Sequence, residues 1–172
     1  MQTSEFVDKI INEEIHDEEL KKLLITHSEC VARKSLAIAD SIGLDVDRQF
    51  VWDAAMLHDI GVVECDAPGI HCCGDAPYIS HGPLGAAILA RHGLPESYCR
   101  VCERHTGAGL PGHEPETLEE KLICYADKFF SKSANPAAEK PLDRVLASMA
   151  RFGQENTDRF LALHKLFAPQ SC

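Results

Sequence analysis

The chain has 172 residues, 45% of them hydrophobic and 26% charged, with eight cysteines and nine histidines. That balance describes one globular domain, or one with a short appendage; it excludes a disordered or collagenous chain, and no apolar run approaches the ~18 residues of a membrane span. Lysine and arginine number 17 against 27 aspartates and glutamates, a net charge of −10, which opposes binding to long DNA or RNA, whose phosphates demand basic patches.

The polar, acidic start MQTSEFVDKIINEE has the profile of neither a signal nor a transit peptide. It predicts a cytoplasmic protein, with reduced thiols rather than a disulfide framework. Asp17 caps a short predicted helix through about Ile25. Thr26-His27-Ser28-Glu29 has the capping-box form and predicts a new helix from there to Ile42, stopped at Gly43. Asp45 or Asp47 starts the next, through Phe50, Val51, Ala54 and Ala55 to His58. Residues 62–80, with Pro68, Gly69, Gly74 and Pro77, read as an ordered loop. A helix fits 82–92, closed by Gly93, and Pro95 and Glu96 open another that reaches His105. A second glycine-rich loop covers 106–115. Thr117-Leu118-Glu119-Glu120 is another capping box, and its helix is predicted to run to about Lys132. Residues 133–141 read as a linker before two helical stretches, about 142–152 and 155–167. No strand periodicity and no internal repeat stands out, so the predicted class is all-α.

Chemistry-bearing residues sit on the apolar faces of these helices. His27 extends the stripe Val31, Ser35, Ile38, Ile42; Val51, Ala54 and Ala55 lead to His58, followed at once by Asp59. Val101 and Cys102 point the way to His105, and Asp127 lies among Leu122, Ile123, Ala126 and Phe130. His81 begins the helix whose inner face is Leu84, Gly85 and Ile88. Four histidines and two aspartates thus aim at one core from five helices. A single histidine on an apolar face is most simply a hydrogen-bonded core residue. Buried aspartates are costly unless paired or metal-bound, and one shared divalent cluster satisfies all six.

These residues carry a resemblance. His27, then Leu57-His58-Asp59-Ile60-Gly61, then Asp127 in Tyr125-Ala126-Asp127-Lys128, resemble the H…HD…D signature of the HD superfamily of metal-dependent phosphohydrolases, in its HDIG form. His81 in Ser80-His81-Gly82 and His105 in Glu103-Arg104-His105 match the two extra histidines of its binuclear members. The resemblance covers about residues 20–132. It implies a bundle of about six to eight helices around a buried metal site, formed by residues 1–132, with 133–172 a helical appendage packed on the outer surface of the same domain. It implies that His27, His58, Asp59 and Asp127 hold one divalent ion and that Asp59 bridges to a second held by His81 and His105. Iron, manganese, zinc, nickel, cobalt or magnesium all suit such ligands. The implied activity is hydrolysis of a small phosphomonoester or phosphodiester, such as a nucleotide, by a metal-activated water. The implied partner is a small anionic phosphate compound, without long nucleic acid or membrane.

One departure matters. Many binuclear hydrolases of the superfamily carry a lysine just after the HD motif, where Asp59-Ile60-Gly61-Val62-Val63 offers no cation. Lys128, Arg104 and His71 are the candidate replacements; with Asp59, Lys128 and Arg104 form the expected catalytic set. Adjacent helix positions diverge by ~100°, so Lys128 need not face where Asp127 faces. The GYP motif of cyclic-dinucleotide phosphodiesterases is missing, and that substrate is not predicted. The missing lysine leaves open a di-iron oxygenase of the same fold with the same ligands, and a non-catalytic metal-binding module. Cys99-Arg100-Val101-Cys102 and Cys72-Cys73 would together allow a zinc or redox site, but free thiols are the simpler reading. His92 reads as structural, His16, His113 and His164 as surface residues, and Trp52 as packing. The loops 62–80 and 106–115 flank His81 and His105 and are expected to shape substrate access.

Overall fold

Helix ends follow the caps, and the apolar stripes decide what packs on what. The computed structural model describes residues 1–133 and 135–168; among them are eight α-helices and one two-stranded ribbon. In chain order these are α1 (Glu5–Glu14), α2 (Glu18–Ile42), α3 (Arg48–Leu57), β1 (Asp66–Ala67), β2 (Cys72–Cys73), α4 (His81–Arg91), α5 (Glu96–Arg104), α6 (Leu118–Asp127), α7 (Leu142–Ala150) and α8 (Gln154–Phe167). The long helix α2 packs against α3 and α6; α4 packs on α5, and α5 on α3 and α6.

The two helices expected over 17–42 are one. The Asp17 side chain accepts from Leu20 N at 2.8 Å and caps α2, whereas Thr26 lies inside it and donates its hydroxyl to the Lys22 carbonyl at 2.8 Å. Glu29 pairs with Arg33 rather than closing a box. The buried series Leu20, Leu24, His27, Val31, Ser35 runs through that point without a change of phase, so nothing redirects the chain there. By contrast Thr117 and Glu120 form a complete capping box at α6, and the Asp47 side chain caps α3. Helix α6 ends at Asp127, short of Lys132: Phe129 N and Phe130 N bond to carbonyls three residues back, tightening the chain out of the α-helix.

Two features were not singled out by the sequence reading. Helix α1 buries Val7, Ile10 and Ile11, and Ser4 before it donates from N and Oγ to Asp53 at 3.1 and 2.6 Å. The loop 62–80 carries the ribbon, pairing Asp66 with Cys73 and Ala67 with Cys72.

The HDIG glycine has a steric reason. Residues 60–64 form a tight 3-10 turn packed on the start of α4, and a Cβ at Gly61 would run into the His81 carbonyl oxygen and the Gly85 backbone. The C-terminal helices do more than cover the outside. Phe160, Leu163 and Phe167 of α8 are buried, and Tyr125 of α6 stacks on Phe160 with ring centroids 5.4 Å apart.

Candidate metal centre

Five of the six predicted ligands stand at helix ends. His58 and His105 are the C-caps of α3 and α5, Asp59 follows His58, His81 is the first residue of α4 and Asp127 the last of α6. His27 comes from the middle of α2. All six are buried and brought together. His27 Nε2 lies 3.0 Å from Asp127 Oδ1 and 3.2 Å from Asp59 Oδ2, and His58 Nε2 lies 3.2 Å from the same Asp59 oxygen. The other Asp59 oxygen, Oδ1, lies 3.2 Å from His105 Nε2 and 3.3 Å from His81 Nε2. Two donor groups result, His27–His58–Asp59–Asp127 and Asp59–His81–His105, sharing one carboxylate.

Backbone carbonyls set which ring nitrogen is free. His58 Nδ1 donates to Ala55 O at 2.5 Å, His81 Nδ1 to Tyr78 O at 2.5 Å and His105 Nδ1 to Cys102 O at 2.6 Å. Each carbonyl lies three residues earlier. With Nδ1 carrying the hydrogen, a neutral ring presents an Nε2 lone pair to the interior. His81 Nε2 and His105 Nε2 then face each other at 3.0 Å, and His58 Nε2 has no hydrogen-bond partner despite the nearby carboxylate. Lone pairs converging on carboxylates repel unless a proton or cation sits among them. Imidazole nitrogens held by carbonyls and joined by carboxylate oxygens suit a divalent ion, and so the residues fit the metal that the resemblance implies.

The charges agree with a cation-seeking centre. Burial would raise the Asp59 carboxyl, but the charges of His58 and Lys132 hold it well below the ordinary carboxylate range. Asp127 is held low in the same way, against burial, by Lys128, by a hydrogen bond from His27 and by the His58 ring 3.5 Å away. Burial opposes charge on His58, yet the two carboxylates outweigh it and raise its pKa to about 9. At His105 burial prevails and the pKa falls to about 3.

The centre opens into a cavity of ≈ 560 Å³. Lys128 faces it after all: its Nζ lies 2.6 Å from Asp127 Oδ2, reached by a long side chain from the turn after α6. A cation missed in the sequence reading, Lys132, places Nζ 2.6 Å from Asp59 Oδ2. Arg104 does not line the cavity; it donates to the Glu114 carbonyl at 2.7 Å and pairs with Glu116 at 2.9 Å, outside it. His71 is exposed on its loop. Tyr78 and Ile79, from the end of the loop 62–80, and Leu110 and Pro111, from the middle of the loop 106–115, line the cavity, and so do Met149, Phe152 and Arg159 of the C-terminal segment. That segment was expected only on the outer surface.

Among the described residues no cysteine joins either donor group. Cys102 Sγ donates to the His58 carbonyl at 3.0 Å and Cys124 Sγ to the His105 carbonyl at 3.4 Å, bracing the backbone behind the site. Burial pushes the Cys72 thiol up to about 11. His92 pairs with Glu14 at 2.6 Å, and Trp52 is buried with its indole N–H on Thr3.

Residues 24–131 match the family model of the HD domain. The tRNA (cytidine(56)-2'-O)-methyltransferase of Picrophilus torridus is 33% identical over 129 residues, 68% of this chain and 34% of that protein. Its namesake in Thermoplasma volcanium is 29% identical over 160 residues, 84% of this chain and 42% of that protein. An uncharacterised protein of Methanocaldococcus jannaschii is 34% identical over 112 residues, 58% of this chain and 59% of that one. The chain thus spans less than half the length of either methyltransferase. Among solved structures, the HD domain of the L. monocytogenes phosphodiesterase PgpH superposes with a TM-score of 0.57 at 19% identity, covering 95% of this chain and 86% of that one. At that identity the likeness shows the fold.

Proposed function

The chain belongs to the HD-domain family, and we propose from that premise that its buried centre hydrolyses a small phosphate ester. The observation that carries this reading is the set of Nε2 lone pairs of His58, His81 and His105, fixed by backbone carbonyls, that converge on two carboxylates, of which Asp59 is shared. In this reading His27, His58, Asp59 and Asp127 hold one divalent ion and Asp59, His81 and His105 a second. Bound there, the ions supply a nucleophile at neutral pH and offset charge developing on the phosphoryl oxygens. The protein's own groups orient the ester. Lys128 and Lys132, tethered to the carboxylates, present ammonium groups to phosphate oxygens at the inner end of the cavity. The apolar walls from Leu110, Pro111 and Phe130 hold the remainder of the substrate and limit water.

Lys132 also bears on the choice between hydrolase and oxygenase. The oxygenase alternative rests on the missing cation after the HD motif, and Lys132 supplies one to Asp59 from beyond the end of α6. The net charge of −10 disfavours an extended RNA substrate. In this reading the tRNA named for the two methyltransferases concerns the part of those proteins that this chain does not span.

The test is metal analysis joined to phosphate release. The purified protein holds two ions per chain, and under anaerobic conditions it releases phosphate from a panel of small esters with several divalent metals. His105→Ala leaves one ion. Oxygen consumption that requires iron, without phosphate release, overturns the hydrolase in favour of the oxygenase. Metal binding with turnover of neither kind leaves only a binding module.

A further inference from the structure

The cavity walls carry more positive charge than the metal centre accounts for. Four cations line the cavity: Lys128, Lys132, Lys140 and Arg159. The first two are matched, one each, by Asp127 and Asp59 at 2.6 Å. Lys140 is half-buried and, among the described residues, pairs with no carboxylate. Among the described residues Arg159 has only Glu155, one helical turn back, at 4.0 Å; that glutamate side chain is 88% exposed. A pair with so exposed a carboxylate at such a distance is worth about 0–1 kcal/mol and hardly neutralises the guanidinium. Arg159 Nε, moreover, is buried without a hydrogen-bond partner. A guanidinium so weakly paired keeps the planar geometry that takes a carboxylate or phosphate on two parallel bonds.

Arg159 also stands apart from the inner lysines in the chain. It is carried by α8, well beyond residues 24–131 that match the HD domain, whereas Lys128 lies within that stretch and Lys132 directly after it. Its helix is fixed there by Asn156, whose Oδ1 accepts from Ala108 N at 3.0 Å and ties α8 to the loop after His105. The same cavity has apolar walls: Tyr78, Ile79 and Phe152 are partly exposed large side chains in its lining. A volume of ≈ 560 Å³ is that of a site for a whole small molecule rather than for phosphate alone.

We propose that the substrate is a phosphate ester with an apolar body and a second anionic group, a carboxylate or another phosphate, and that Arg159 recognises that second group. This rests on the phosphate-ester reading of the metal centre, and adds to it a specificity residue supplied by the C-terminal helix.

Phosphonates, whose C–P bond is not hydrolysed, separate recognition from turnover. Phenylphosphonate, 4-carboxyphenylphosphonate and 1,4-phenylenebisphosphonate are titrated by calorimetry into metal-stripped protein and into protein reconstituted with Mn²⁺, Mn²⁺ alone serving as the control. The wild type binds at least one two-anion probe ~10-fold more tightly than phenylphosphonate, the size of one charge-assisted contact. The carboxylate and phosphonate arms distinguish the two sources of the second charge. Arg159→Ala erases the preference, and Arg159→Lys restores part of it; circular dichroism verifies that both variants fold. Equal binding of the three probes by the wild type overturns the proposal, and so does an equal loss for all three in Arg159→Ala. Failure to release phosphate from any ester would instead sink the hydrolase while leaving the binding preference standing, so the two ideas fail separately.

Discussion

At the scale of single residues, the chemistry of the centre lies in identities that are visible one at a time. His27, the His58-Asp59 pair, His81, His105 and Asp127 stand on apolar faces, where nothing but a shared partner explains them, and the fold brings all six together. Lys132 carried no comparable signal. It lies beyond the end of α6, and its approach to Asp59 depends on a tightened turn that helical periodicity does not describe. The two cations that adjoin His105 and Asp127 in the sequence divide: Lys128 reaches the site and Arg104 is spent on Glu114 and Glu116. Lys132→Gln is expected to lower kcat/KM by about 100-fold, the usual loss when one donor to the reacting oxygens is removed. Arg104→Ala removes a contact to a largely exposed glutamate and should cost about 0–1 kcal/mol of stability and little activity. Steady-state phosphate release from both variants, with metal content measured alongside, decides the matter; comparable losses in the two would return Arg104 to the site.

At the scale of elements, caps were legible where a side-chain oxygen precedes a new apolar phase and misleading where the phase continues. Thr117 and Asp47 fall in the first class. Thr26 falls in the second, because Leu24, His27 and Val31 belong to one stripe and the hydroxyl turns back onto the Lys22 carbonyl. Asp17→Ala should therefore destabilise the protein by ~1 kcal/mol, as loss of an N-cap does. Thr26→Ala, inside an unbroken helix, should change stability by less than ~0.5 kcal/mol. Urea denaturation of the two variants measures the difference; the reverse order would mean that α2 is broken at Thr26 in solution. The ribbon β1–β2 was invisible for a simpler reason. Strands of two residues each are too short to show alternation, and their pairing depends on the 3-10 turn of residues 60–64 against α4.

At the scale of the molecule, six polar groups sit in a core that must balance their charge by protons or by metal. The C-terminal helices close this arrangement through long-range packing, Tyr125 on Phe160, and through Arg159 in the cavity wall. Neither relation has a local signature, and helical patterning alone places that segment outside. The balance of charge makes stability depend on pH differently with and without metal. In the metal-free protein the His58 pKa is raised to about 9 against burial by Asp59 and Asp127, above its unfolded value of ~6.5. A raised pKa contributes stability that is fully present below the unfolded value and is lost as pH rises through the folded one. Asp59 and Asp127, held low, contribute above the ordinary carboxylate pKa and lose that contribution only in acid. The metal-stripped protein should thus lose melting temperature between pH 6.5 and pH 9. A bound divalent ion takes the place of the His58 proton, so its binding releases a proton and tightens over the same interval. Calorimetric scans with chelator and with added Mn²⁺ should diverge as pH rises, the metal-loaded protein holding its melting temperature while the stripped protein falls. Parallel curves would show that no proton on His58 competes with metal, and the electrostatic account of the centre would be wrong.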